Sequence, residues 1–77
     1  MPEAMQRRVL ALARQAVASS TVMREIAGHV KRGMDGEYGQ TWHCIVGRSF
    51  GSYVTHQNQT FIFFYVGELA FLLFKTA

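Results

Sequence analysis

From its first residues the chain places apolar side chains at a helical period. Met5, Val9, Leu12, Ala13 and Ala16 recur three or four positions apart, which predicts a helix over about residues 3–17. Pro2 stands where a first turn tolerates it, because the N–H it lacks has no helical partner there in any case. Ser19-Ser20-Thr21 interrupts the stripe and offers an N-cap to a second helix. Val22, Ile26, Ala27, Val30 and Met34 then repeat the period and predict a helix over about residues 22–36. Glu25 in its first turn, and Lys31 and Arg32 towards its end, complement the helix dipole. Gly33, Gly36 and Gly39 are expected to terminate it.

Beyond Gln40 the period changes. Trp42-His43-Cys44-Ile45-Val46 is aromatic and β-branched, and predicts a strand over about residues 41–47. Three more follow, at about residues 49–55, 60–66 and 69–75, with the last two joined at Gly67-Glu68 as a hairpin. The fold class this implies is α+β: two N-terminal helices packed on a four-stranded antiparallel sheet, in one domain spanning residues 1–77. The last two strands do not alternate. Phe61-Ile62-Phe63-Phe64-Tyr65-Val66 and Leu69-Ala70-Phe71-Leu72-Leu73-Phe74 present apolar groups to both faces. A sheet with one wet face shows alternation, so both faces of these strands need cover. Two short helices cover one face. A second copy of the chain, in a homodimer, is the economical cover for the other.

Composition sharpens this picture. The 77 residues are 49% hydrophobic and 17% charged, the balance of a chain that folds rather than stays disordered. A domain this small buries only about 60–65% of its chain surface. One cysteine, Cys44, excludes an internal disulfide and suits a reducing compartment. The net charge of +3 comes from scattered cations with no run longer than two, which argues against nucleic-acid binding. The longest apolar runs fall far short of the ~20 residues that cross a bilayer, and the N-terminus has no secretory signal pattern. A cytoplasmic chain without membrane partners is therefore expected.

Candidate chemistry is sparse. His29, His43 and His56 have no metal-ligating neighbours at the right spacing, and the adjacent His43 and Cys44 would point to opposite faces of a strand. No metal and no cofactor is expected. Cys44 as a nucleophile would need a base from elsewhere, and a buried structural cysteine is the commoner case. Pro2 fits a helix entry better than a catalytic amine, and no carboxylate pair stands out, so an enzyme is not expected. The segment 49–56 is the least hydrophobic strand region. At a sheet edge its small residues would make a docking rail for an extended peptide.

The run Thr41-Trp-His-Cys-Ile-Val-Gly-Arg-Ser-Phe-Gly-Ser-Tyr-Val-Thr-His56 closely resembles the core of the small cytoplasmic dynein light chains, the eight-kilodalton hub family. The likeness continues through Phe61-Ile-Phe-Phe-Tyr-Val-Gly67 and Ala70-Phe-Leu-Leu-Phe-Lys75. It reaches back more weakly over residues 3–40, where Met5-Gln6 and Ile26-Ala27 with His29 fit the two helices. The resemblance implies a strand-swapped homodimer, in which residues 49–55 cross into the partner's sheet. It implies two grooves, each between a swapped strand and the second helix of the other subunit, that take short linear motifs by strand addition. By motif position Ser49, Phe50, Gly51, Ser52, Tyr53, Val54, Thr55 and His56 form the rail, and Phe61, Phe63 and Tyr65 line the groove. The backbone N–H groups around Met23 and Arg24 cap the ligand's glutamine. His43, Ser49, Tyr53 and Thr55 fall at the dimer interface.

The partners implied are a second copy, the dynein intermediate chain and Thr-Gln-Thr-like motifs in diverse proteins. The function implied is a non-catalytic adaptor and accessory light chain of the dynein motor, cytoplasmic and cytoskeletal. The alternative is a dedicated structural subunit of an axonemal or other large complex, with its grooves permanently occupied. Several positions depart from the family pattern. Met23 replaces an acid, Ser49 an asparagine and Phe63 a tyrosine, so ligand preference is expected to differ. Thr76 stands where the family has a phosphorylatable serine. The family's leading strand, ahead of the first helix, has no counterpart in these residues.

Overall fold

The computed structural model describes residues 1–48 and 61–76. Helix α1 (Glu3–Ser19) and helix α2 (Met23–Tyr38) precede strands β1 (Trp42–Gly47), β2 (Phe61–Val66) and β3 (Leu69–Lys75). The architecture is α+β, with two helices on an antiparallel sheet of order β1-β3-β2. Of the four strands expected, three are present among the described residues. The other, at 49–55, lies outside them, as does its proposed exchange between subunits.

The helices differ from the sequence expectation at their ends. Gly33 and Gly36 do not stop α2, which runs on to Tyr38 and closes at Gly39. Lys31 and Arg32 therefore lie mid-helix, and no basic residue occupies the last turn. The serine cluster does not cap α2 directly either. Val22 holds the N-cap position with no side-chain cap, and Ser20 acts one step outside it. The Ser20 hydroxyl accepts from the Val22 N–H at 3.0 Å and donates to Glu25 at 2.8 Å. The first turn is thus fixed through its approach rather than its cap.

The strand register explains why alternation is missing. β3 pairs with β1 on one side and β2 on the other, so each β3 residue centres a row across the sheet. Cys44–Leu73–Ile62 and Val46–Phe71–Phe64 form rows on the face towards the helices. There they pack with Val9, Leu12, Ala13, Ala16, Ile26, Val30 and Met34, and with Trp42 at the head of β1. Stacked Phe64 and Phe71 rings, 5.0 Å apart, tie two of these strands. The alternate residues make a second, outer face of three rows: His43–Phe74–Phe61, Ile45–Leu72–Phe63 and Gly47–Ala70–Tyr65. Gly67 turns the β2–β3 hairpin at φ +58°, a conformation that costs an L side chain about 1–2 kcal/mol.

Polar contacts fasten these layers together. Arg8 pairs with Glu37 at 3.0 Å, joining α1 to the end of α2. The Asp35 carboxylate accepts the Trp42 backbone N–H at 2.8 Å and also binds Lys31, so it holds α2 to the start of β1. The Lys31 hydrogen bond, and then that from Trp42, hold this carboxyl below its ordinary 3.8. Lys75 donates to the Tyr38 carbonyl at 3.2 Å, closing the C-terminus of α2 from β3.

Candidate functional site

Two features of the sheet leave something to be bound. The first is the outer face, which neither helix covers. It is apolar apart from His43 and Tyr65, with Tyr65 59% exposed and Ile45 48% exposed. Half-buried Phe61 and Phe63 complete it, and the Phe63 and Tyr65 rings meet edge-on at 5.6 Å. His43 stacks on Phe74 at 5.1 Å, and its Nε2 lies 3.0 Å from the Thr76 hydroxyl. The second feature is the outer edge of β1. In the order β1-β3-β2 this strand is an edge, and its far side pairs with no other described strand. An edge presents a row of backbone donors and acceptors that can pair with an added strand.

A groove of about 410 Å³ lies beside that edge. Ala27, Gly28 and Lys31 of α2 form one wall, and Trp42, His43, Cys44 and Ile45 of β1, with Phe74, form the other. Small residues on the helix wall leave room for a backbone to lie against β1. Burial pushes the Cys44 thiol up to about 12, so it stays protonated at neutral pH and acts as an apolar lining group.

The residues predicted for a site divide by location. Phe61, Phe63, Tyr65 and His43 share the outer face. Met23 and Arg24 begin α2. Met23 lines a separate hollow of about 310 Å³, between the helix hairpin and the β2–β3 turn, floored by Val17, Ile26, Val66 and Leu69. Ser49, Phe50, Gly51, Ser52, Tyr53, Val54, Thr55 and His56 lie outside the described residues. Sequence reasoning missed Ala27, Gly28 and Lys31. Their signal is present in the α2 period, since they fall off the Ile26–Val30–Met34 stripe on the side that meets β1. Among the described residues no three His, Cys, Asp or Glu side chains converge on a metal position. No described helix is long and apolar enough to cross a membrane.

Residues 1–76 match the family described as dynein light chain type 1. This chain belongs to the dynein light chain family. It is 55% identical over 76 residues to "Dynein light chain 1, cytoplasmic" of Candida glabrata, covering 99% of this chain and 88% of that protein. The protein of the same name from Debaryomyces hansenii is 50% identical over 76 residues, covering 99% and 84%. The dynein light chain-like domain of the Fasciola hepatica calcium binding protein FhCaBP2 superposes with a TM-score of 0.81 at 26% identity, over all of this chain and 84% of that one. The α+β fold with two helices and an antiparallel sheet is thus the fold of this family.

Proposed function

We propose that this dynein light chain is a cytoplasmic, non-catalytic adaptor that works as a homodimer. It serves as an accessory light chain of the dynein motor, with the dynein intermediate chain among its partners. It takes short linear motifs by strand addition, one in each of two grooves at the dimer interface. The observation that carries this reading is the meeting of an apolar sheet face and a strand edge at β1. The apolar rows of the outer face run up to an edge that pairs with no other described strand, and α2 stands across a groove from that edge. An added strand satisfies the edge, and a second copy covers the apolar rows. In this reading residues 49–55 supply the exchanged strand, and residues 49–56 with Phe61, Phe63 and Tyr65 contact the ligand. The N–H groups of Met23, Arg24 and Glu25 precede the first described helical bond, Ile26 N–H to the Val22 carbonyl at 3.0 Å, and so remain for a ligand acceptor.

Sedimentation combined with calorimetry tests the proposal. A dimer at micromolar concentration that binds one Thr-Gln-Thr peptide per chain is expected. A monomer that binds no such peptide overturns it.

A further inference from the structure

Among the described residues two buried side-chain nitrogens have no hydrogen-bond partner, His29 Nε2 and Trp42 Nε1. The two are not equivalent. A neutral imidazole has one nitrogen without a proton, so His29 can leave its Nε2 bare, whereas an indole nitrogen keeps its proton and only donates. Trp42 is also fully buried, while His29 is half-buried. A buried donor left without an acceptor costs more than a made hydrogen bond contributes. Trp42 thus carries the uncompensated polar group of the described core.

Its own surroundings do not supply an acceptor. Trp42 lies in the wall of the groove of about 410 Å³ between α2 and the β1 edge. Of the other side chains there, Lys31 only donates and binds Asp35, the Cys44 thiol stays protonated, and His43 is held by the Thr76 hydroxyl. The rest of the wall is apolar. The α2 carbonyls along it are engaged in helical bonds. A water lodged there would meet the indole and little else, short of the about two to four polar partners that hold one in place. The acceptor therefore comes from chain that fills the groove.

A second copy is the chain placed to do so. His43, Ile45 and Phe74 belong both to the groove wall and to the rows of the outer face, so groove and face form one continuous surface. A copy laid on the face reaches the groove across the β1 edge. We infer that dimerisation supplies the missing acceptor: with a small shift of the wall, Trp42 Nε1 donates to an oxygen of the partner subunit's added chain. The inference rests on the homodimer reading and adds to it a buried donor that is satisfied only in the assembly. A two-fold dimer forms the bond twice.

The test uses the full chain, in which Trp42 is the one tryptophan. Trp42→benzothienylalanine keeps the ring shape and puts sulfur where the N–H was. Sedimentation equilibrium is expected to show a dimer dissociation constant raised about five- to one-hundred-fold, from two lost bonds per dimer. Urea unfolding of the dissociated chain is expected to stay where it was or move to higher urea, because the monomer loses a donor that had no partner. Ultraviolet resonance Raman of the parent dimer reads the same bond through the indole mode that responds to N–H hydrogen bonding, and the bonded frequency is expected. An unmoved dissociation constant, a free N–H frequency in the dimer, or an isostere that weakens the dissociated chain as much as the dimer overturns the inference and leaves the homodimer reading standing. A parent that sediments as a monomer at every concentration overturns the homodimer reading, and this inference with it.

Discussion

His43 Nε2 and the Thr76 hydroxyl lie 3.0 Å apart, across the end of the outer sheet face. Just behind them the Thr76 backbone N–H donates to the Thr41 carbonyl at 2.9 Å, so the end of β3 is fastened to the start of β1. The imidazole is held between this hydroxyl and the Phe74 ring, at the head of the row His43–Phe74–Phe61. Among the described residues it is the one histidine on the face that the proposed partner subunit covers. A permanent charge there is tolerable in a monomer, where the side chain is exposed, but has to be desolvated in a dimer. Replacing His43 by Lys is therefore expected to give a folded monomer at pH 7, seen by sedimentation alongside unchanged far-ultraviolet dichroism. A His43→Lys protein that stays dimeric removes the outer face from the interface.

Asp35 supplies a stability term with a defined pH window. Its carboxylate is held below 3.8 by Lys31 and by the Trp42 N–H, so the folded state favours its charged form. A depressed folded value means that the contribution is fully present above pH 3.8 and is lost as pH falls through the lower folded value. Asp35→Asn is expected to melt below the parent at pH 7. The gap should narrow as acid protonates the parent's carboxylate. Melting curves from pH 7 down to pH 2.5 check this, and a gap that stays constant throughout rules out the ion pair as its source.

How far the sequence foretold this molecule depends on the range of the interaction. The stripe Val9–Leu12–Ala13–Ala16 predicts α1 because helix period and burial coincide. The unbroken apolar runs of β2 and β3 predict strands with two covered faces, and the register shows both faces apolar. Gly33 misleads because a local breaker signal competes with a tertiary one. A Cβ there would stand 2.7 Å from the Leu12 Cδ2, so the glycine serves the close approach of two helices rather than a helix end. The groove was only half legible. That β1 is an edge follows from the order β1-β3-β2, which residue types along β1 do not specify. Only with that order known do Ala27 and Gly28 become the opposite wall.

The two faces of the sheet are expected to answer mutation differently. Phe71 is fully buried against the helices, and Phe71→Ala should cost about 3–5 kcal/mol by the cavity it leaves. Tyr65 is 59% exposed on the outer face, so Tyr65→Ala should change folding stability by no more than about 0.5 kcal/mol. It should nevertheless weaken dimerisation or peptide binding, which a merely solvated tyrosine would not. Urea unfolding gives the first pair of numbers, and sedimentation with calorimetry the second. Comparable losses of folding stability in both variants would mean that the outer face belongs to the chain's own core.

Cys44 turns the same burial into an alkaline limit. The thiol ionises at 9.0 when free and is pushed up to about 12 in the fold, because burial penalises the thiolate. Above pH 9.0 the unfolded chain therefore loses a proton that the folded chain keeps. A raised folded value contributes stability that declines as pH rises, here by about 1.4 kcal/mol for each pH unit until the folded thiol itself ionises. Cys44→Ala removes this slope. The parent's urea midpoint should fall relative to the variant's between pH 9 and pH 11, whatever separation they show at pH 7. At pH 8 the native thiol should react with a disulfide reagent far more slowly than the urea-unfolded chain, since the thiolate is the reactive form. A native Cys44 labelled at the unfolded rate, with midpoints that run parallel into alkali, would place the side chain in solvent and take it out of the groove wall.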